Sequence, residues 1–508
     1  MKKIIIAIFT ILFVLLTLVI SVYFIFFRQA PITYAQYNSK KINKQIDDQL
    51  LGVDRNDIRK KASLINEKSI AELQKSVEKG VLTYYDITAY YLDRIQRIDQ
   101  KEQGINAILF INPNAIKLAK QYDIRKNVSK KALYGLPVTI KDNINTFDMP
   151  TSSGTYALRN FIPKSDATVV SKLKEQEAII LAKTNLSELA NFMSFKMPDG
   201  YSSSGGQTQN PFGKLKLSPL GSSSGSAASV TSNIGVASLG SETTGSIISP
   251  SYAQAVVGFK PSHSNVSNSG VFPLSPSLDT VGPIAKNVQD VIQVYNSISY
   301  NNRKKINLDT LRTNELKGKR IGISSSLDDK DKNVIKNLIH NLGGETLHIE
   351  FDESSINSNK IISNEFKFAL AAFSEKNHLP FKNLDQLIEY NKQDKHKRMK
   401  YGQILIEQAN KIDNKDENFV SSQISLAQRR LSYFQRKKHI DFIVSYNDRD
   451  VLLPSVAGYP VVTLPNGKDE NNQLKALTLI GFENRDEDLL RGAYALEKNL
   501  IKREMLEL

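Results

Sequence analysis

The chain has 508 residues, of which 41% are apolar and 23% are charged, a composition typical of a globular protein and not of a disordered one. Its formal net charge is +15, but the basic residues are scattered without a nucleic-acid-binding motif, so we expect no nucleic-acid partner. Cysteine is absent and the six histidines form no ligand-spaced pair, which excludes disulfides and a cysteine nucleophile. We therefore predict no metal and no other cofactor.

An uncharged segment covers residues 4–27 and follows two lysines at the start of the chain. Its 24 residues would span about 36 Å as a helix, which exceeds a hydrocarbon core of about 30 Å. A secretory signal needs only about 7–15 apolar residues, so we predict a signal anchor over residues 1–27, with cleavage after Ala35 as the alternative. The positive charges before the segment predict a single-pass cell-membrane protein whose remaining chain is extracytoplasmic.

The predicted elements after this segment begin with a polar tether over residues 28–62, which has weak helical character. Capping-box spacing at residues 69–72 predicts the start of a helix, and a second helix is predicted over residues 83–100. Strand-like apolar runs then alternate with helical patterns, at residues 107–111, 136–140 and 178–181. This alternation predicts an α/β fold with a buried sheet.

Residues 202–251 are dense in serine and glycine, a composition that usually indicates a flexible linker. Small apolar runs within them predict instead a close-packed backbone with tight turns and free amides. Residues 300–440 are more charged and helical. Strand-like runs lie within and after this part, at residues 320–324, 442–444 and 460–464.

Three segments, at residues 135–143, 221–226 and 240–247, carry the side chains that we single out as chemically active. Lys141 ends a strongly apolar strand, where burial would lower its pKa and make it a usable general base. A serine hydroxyl becomes a nucleophile when a base takes its proton, and a second hydroxyl between the two can relay that proton. Each residue alone would be ordinary, because most lysines after a strand reach the surface and most serines in glycine-rich turns only shape the turn.

Together the three segments resemble the amidase signature family, whose pattern joins G-x-P-x-x-x-K-D-N to G-G-S-S-G-G-S and G-x-x-x-G-S. The family's relay serine precedes its nucleophile by 24 positions, as Ser222 precedes Ser246. Residues 242–247 are similar to the E-T-D-G-S-I of the peptide-amidase-like branch. Further matches extend the resemblance over about residues 66–500, at residues 183–190, 257–262, 277–283, 457–460 and 464–467.

The resemblance implies one large catalytic domain over residues 63–505, with a mixed, twisted central sheet flanked by helices. It implies that Ser246 forms an acyl-enzyme, that Ser222 follows a cis peptide and relays the proton, and that Lys141 is the base. It further implies that the backbone amides of Thr243, Thr244 and Gly245 form an oxyanion hole. Ser223 is implied as a support for the relay serine. The implied activity is hydrolysis of a small carboxylic amide or peptide amide to an acid and ammonia or an amine.

Departures from the family pattern occur at Leu220, Ser224 and Thr244. They leave the three triad side chains in place and alter the loop and pocket next to Ser246, so no member's substrate is carried over. We predict that Asp142 and Asn143 support the lysine strand. Glu242 is either a support or a wall of the pocket.

The sequence offers three alternatives to this interpretation. A β-lactamase-like enzyme would need S-x-x-K, which occurs at residues 76–79 and 171–174 in charged helical stretches with no K-T-G, so we take both as chance matches. A glutaminyl-tRNA amidotransferase A subunit shares the signature, but it works in the cytoplasm on tRNA. A catalytically silent membrane-anchored scaffold would carry the same residues without turnover.

Overall fold

Short apolar runs form the strands of the structure, a computed structural model that describes residues 28–125, 131–300 and 305–506. The strands of the large sheet are β1 (Ile108–Ile111), β2 (Pro137–Lys141), β3 (Ile179–Thr184), β6 (Ala237–Glu242), β7 (Val257–Lys260), β8 (Thr280–Ala285), β9 (Arg320–Ser324), β10 (Glu345–Ile349), β11 (Phe442–Tyr446), β12 (Val461–Lys468) and β13 (Leu474–Ile480). A separate two-stranded sheet consists of β4 (Tyr201–Ser202) and β5 (Gly206–Gln207).

The large sheet has 11 strands in the order β1-β3-β2-β6-β8-β7-β12-β13-β11-β9-β10. Strand β2 lies parallel to both β3 and β6, and β9 lies parallel to β10 and β11. The other neighbours, from β6 to β8 and on to β11, pair antiparallel, as does β1 with β3. The sheet is therefore mixed, and the predicted α/β fold is confirmed.

Helices flank the sheet and supply most of the remaining core. In chain order they are Ser39–Gln49, Arg55–Lys60, Ala62–Ile65, Ile70–Glu78, Tyr84–Arg94, Ala115–Ile124, Thr168–Glu175, Glu188–Asn191, Ser224–Thr231, Ile248–Ala253, Val288–Ile298, Asp329–Asn341, Ser358–Asn377, Leu384–Lys392, Lys395–Arg398, Ile404–Asn410, Glu417–Lys438, Leu452–Ala457 and Asp486–Glu497. Short 3-10 turns occur at Tyr156–Leu158, His263–Asn265 and Leu308–Thr310.

Local sequence signals explain where the first helices of the domain begin. The Ser69 hydroxyl accepts the N–H of Glu72, and the Glu72 carboxylate accepts the N–H of Ser69, so the predicted capping box is present. Thr83 caps Tyr84–Arg94 in the same reciprocal way. The last turn of this second predicted helix, Ile95–Asp99, is a π-helix.

The structure differs from the polar tether predicted over residues 28–62. Two helices form there, and the side chains of Ile42, Ile46 and Leu50 are buried in the main apolar core. These three residues are spaced four apart, so Ile42 and Ile46 in the polar helix and Leu50 directly after it form one apolar stripe. This stripe is too sparse to stand out by composition, yet it packs the segment onto the domain.

The membrane anchor predicted over residues 4–27 lies outside the residues that the structure describes. Between Arg28 and residue 506, in the described ranges, no helix combines the length and the hydropathy that a membrane span requires.

Another apolar cluster lies beside the sheet. It includes helices from residues 300–440, the region to which the sequence assigns no role. Helices Ser358–Asn377, Leu384–Lys392 and Ile404–Asn410 pack there against the segment around Phe192. The rings of Phe192 and Phe366 meet edge to face, with their centroids 5.5 Å apart. This cluster forms the apolar side of the cavity described below.

We expect Ile46→Ala to lower the free energy of unfolding by about 2–5 kcal/mol, because it empties a fully buried position in the main core. Denaturant unfolding of the purified protein measures the change. Leu51→Ala is the matched control, since this side chain is 87% exposed and its loss should change stability by less than about 0.5 kcal/mol. Equal effects of the two substitutions would show that residues 39–49 do not pack as described.

Candidate active site

Lys141 is the last residue of β2, and its side chain is fully buried. Its Nζ lies 2.8 Å from Ser222 Oγ, 2.9 Å from the carbonyl oxygen of Ser241 and 3.0 Å from Ser241 Oγ. Burial lowers the pKa of Lys141 to about 7, although the negative charges of Asp279 and Glu242 act in the opposite direction. A large fraction of Lys141 is therefore neutral near pH 7 and able to accept a proton.

The lysine and the serine loop meet because β2 and β6 are parallel neighbours in the sheet. Ile140 pairs with Leu239, so the residues that follow the two strands leave the sheet at the same end. Residues 243–246 then turn across this end. Gly245 has a φ of 78°, a conformation that glycine adopts without the steric cost of a side chain.

Ser222 lies after a cis peptide bond with Gly221, in a segment tied directly to this loop. The N–H of Ser223 donates to the carbonyl of Ser246 at 3.1 Å. The hydroxyl of Ser223 donates to the carbonyl of Ser241 at 3.1 Å. Lys141, Ser222 and Ser246, which lie far apart in the sequence, are thus brought into one region, where Ser223 bonds to the carbonyls of Ser241 and Ser246.

A cavity of about 420 Å³ opens in front of this loop. Its polar lining comes from Gln29, Asn191, Ser194, Gly221, Thr243, Thr244, Ser246 and Asn359. Its apolar lining comes from Ala190, Phe192, Phe195, Leu274, Ile362 and Leu405. Among the described residues, no charged side chain lines it.

The loop also presents backbone amides to this region. The N–H groups of Thr243, Thr244 and Gly245 donate to no partner within the part of the chain that the structure describes. Thr243 and Thr244 line the cavity beside Ser246. Free amides next to a serine are the donors that an oxyanion would need.

Comparison with known proteins assigns this arrangement to a family. A family model described as Amidase matches residues 86–445. The chain belongs to the amidase family. It is 30% identical over 465 residues to a probable amidase from Arabidopsis thaliana, a match that covers 85% of this chain and 90% of the plant protein.

Two solved amidase structures share the fold. An amidase family protein from Bacillus anthracis superposes with a TM-score of 0.91 and 34% identity, covering 94% of this chain and 100% of that one. The native peptide amidase from Stenotrophomonas maltophilia superposes with a TM-score of 0.80 and 30% identity, covering 86% of this chain and 98% of that one. The resemblance stated from the sequence motifs is therefore confirmed.

In this amidase, Glu242 is a support for the loop and does not line the cavity. One carboxylate oxygen accepts the N–H groups of Ile247 at 2.7 Å and Ile248 at 3.0 Å. The other oxygen accepts the hydroxyl of Ser455 at 3.2 Å. The negative charge also lies at the N-terminus of helix Ile248–Ala253, where a helix dipole favours it.

A buried ion pair supports the strand that carries the lysine. Asp142 and Lys183 lie 3.6 Å apart with both side chains fully buried. Asp142 also accepts the N–H of Ser152 at 3.0 Å, and Lys183 donates to Ile144 O at 2.5 Å and to Thr151 Oγ1 at 2.6 Å. Asp142 is therefore the predicted support, and Lys183 is a partner to which the motifs assigned no role.

Asp279 is a further site residue that sequence reasoning did not single out. Its carboxylate accepts the hydroxyl of Thr243 at 2.6 Å and the N–H groups of Leu274 and Ser275 at 2.8 and 3.0 Å. Burial raises its pKa to about 6. The sequence feature that could have identified Asp279 is its position inside residues 277–283, a segment that matches the family pattern.

Two of the three departures from the family pattern, Leu220 and Ser224, form a local turn beside Ser222. Leu220 has a φ of 45°, in the left-handed region that favours glycine, which explains why a glycine is usual here. The hydroxyl of Ser224 donates to the carbonyl of Leu220 and closes this turn. Leu220 and Ser224 therefore both fit into the backbone next to the cis peptide bond between Gly221 and Ser222.

We expect kcat/KM for an amide to rise with pH through about 7, because only neutral Lys141 accepts a proton and burial lowers its pKa to about 7. Since Asp279 raises that pKa, Asp279→Asn should move the rising limb to lower pH. A pH–rate profile measures both midpoints. Asp329→Asn, at a carboxylate that is 98% exposed, should keep the wild-type midpoint. An unmoved limb in Asp279→Asn would contradict this electrostatic account.

Proposed function

We propose that this protein hydrolyses an uncharged carboxylic or peptide amide to an acid and ammonia or an amine, through an acyl-enzyme on Ser246. The observation that carries the proposal is the 2.8 Å contact between the Nζ of buried Lys141 and Ser222 Oγ. In an amidase-family protein, this contact supports Ser222 as the group through which Lys141 would take the proton of Ser246.

The hydrogen bonds around Lys141 support a direction for proton transfer. A neutral amine has two N–H donors and one lone pair. The carbonyl oxygen of Ser241 can only accept, so it takes one N–H at 2.9 Å. With the second N–H directed to Ser241 Oγ, the lone pair is left for the proton of Ser222. Ser222 can then take the proton of Ser246 as that hydroxyl attacks.

The attack forms a bond from Ser246 Oγ to the amide carbon and moves the carbonyl electron pair onto oxygen. The free amides of Thr243, Thr244 and Gly245 would stabilise this oxyanion, at about 3–4 kcal/mol per donor. Collapse breaks the C–N bond, and the proton held by Lys141 returns through Ser222 to the leaving amine. Water, deprotonated by the same route, then attacks the acyl-enzyme and releases the acid.

The lining of the cavity supports an uncharged substrate with an apolar acyl group. A free glutamine would bring an ammonium and a carboxylate into the cavity. The described lining has no charged side chain that could pair with either group. This argues against the amidotransferase A-subunit alternative. The similarity to a peptide amidase supports peptide amides as one substrate class. Faster release of ammonia from glutamine than from blocked amides would favour the alternative.

We expect a small fluorophosphonate to label the wild-type protein and to leave Ser246→Ala unlabelled, because the reagent reacts with an activated serine hydroxyl. Mass spectrometry of the labelled peptide identifies the site. Ser249→Ala, three positions along the chain, is the matched control and should label normally. Unlabelled wild-type protein would favour the catalytically silent scaffold, and labelling that persists in Ser246→Ala would exclude Ser246 as the nucleophile.

We further propose that residues 4–27 anchor the protein in the cell membrane with the catalytic domain outside. The absence of charge over 24 residues supports this placement. External protease added to intact cells should remove the domain while a cytoplasmic marker stays intact. Full protection of the domain until the cells are lysed would reverse the orientation.

A further inference from the structure

Residues 29–37, here called the N-terminal strap, run along the segment that leads to β4 and β5. The strap is bound through its backbone, which makes its position independent of most of its side chains. The contacts are Ala30 N to Lys196 O at 2.8 Å, Gln207 N to Ala35 O at 2.8 Å and Gln209 Nε2 to Thr33 O at 3.0 Å.

The strap and its binding segment fit closely at Gly206. This glycine has a φ of 92°, and a Cβ added to it would lie 2.1 Å from the carbonyl oxygen of Ala35. Asn106 Nδ2 donates to the same oxygen at 3.1 Å. Gln36 forms an antiparallel bridge with Gly206, and its Nε2 donates to Asp99 O at 2.9 Å. The strap is therefore a docked part of the domain.

The first residue of the strap lines the cavity that contains Ser246. Gln29 lies there with Asn191 and Ser194. The side chains of Gln29 and Asn191 both hydrogen-bond to the carboxylate of Asp199. The distance from Asn191 Nδ2 to Asp199 Oδ1 is 3.2 Å. A carboxamide has two N–H donors and an acceptor oxygen. Within the described residues neither side chain has another partner, so each retains one N–H and its carbonyl for another molecule.

We propose that Gln29 is a specificity-determining residue that, with Asn191, binds a second amide group in the acyl part of the substrate. The proposal rests on the proposed amide hydrolysis. The two carboxamides can each donate to and accept from a peptide group, while Phe192, Phe195 and Leu274 contact an apolar side chain. The strap lies outside residues 86–445, so the family match does not assign it a role.

The two-amide requirement separates substrates of similar shape. N-acetylphenylalaninamide carries a second amide beside its scissile one, whereas 3-phenylpropanamide has the same aromatic body and lacks it. A residue that only stabilised the fold would affect both equally. A residue that binds the second amide affects the first compound alone.

In the full-length protein, Gln29→Ala should raise KM for N-acetylphenylalaninamide about 3- to 10-fold, the effect of one or two lost hydrogen bonds, with little change in kcat. Both constants for 3-phenylpropanamide should stay at their wild-type values. Thr33→Ala is the matched control, because the strap is bound there through the carbonyl and the side chain is exposed. It should leave both substrates unaffected.

Affinity is measured in parallel from the thermal shift that N-acetylphenylalaninamide produces in Ser246→Ala, with and without Gln29→Ala. Weaker binding in the double variant supports the proposal even if the wild-type protein hydrolyses neither compound, a result that would overturn the proposed function alone. Equal changes for both compounds, or no change for either, would overturn the role of Gln29.

Discussion

The site depends on holding the amine of Lys141 inside the protein with uncharged partners. Ser222 and Ser241 supply two hydroxyls and one carbonyl oxygen, enough to satisfy three donors when the lysine is charged. A charged partner at the same distance would hold the proton on the lysine. Hydroxyls and a carbonyl satisfy the nitrogen without raising its pKa in this way, so desolvation by burial decides the outcome.

Buried carboxylates position the loops around this amine from further away. Asp142, Glu242 and Asp279 each accept backbone N–H groups from a segment close to the site. Such charges are costly to bury unless they are hydrogen-bonded, so each one determines the conformation of the backbone that satisfies it. The charges of Glu242 and Asp279 also raise the pKa of the lysine. The same groups therefore combine structural support with electrostatic tuning.

Features encoded in contiguous segments were predictable from the sequence, as the capping box at Ser69 and the strand at Arg320–Ser324 illustrate. Lys141, Ser222 and Ser246 could be proposed as a triad from the sequence because each lies in its own short motif. Asp279 was harder to find, since its role depends on a loop that only the fold brings beside Thr243. The apolar cavity wall depends on packing between Phe192 and the region of residues 358–410, which no local pattern encodes. The helix at Ser39–Gln49 goes beyond the weak helical character predicted there, because its two apolar residues, Ile42 and Ile46, lie in a polar composition.

The position of Ala35 in the folded domain affects whether a signal peptidase could cleave the chain after this residue. Its carbonyl, the one that a signal peptidase cutting after this residue would have to attack, is already bound by Gln207 N–H and the Asn106 side chain. Processing at that bond would therefore have to precede folding, and it would remove Gln29 from the cavity. A chain cut at that bond and an uncut chain would then differ in the lining of the cavity itself.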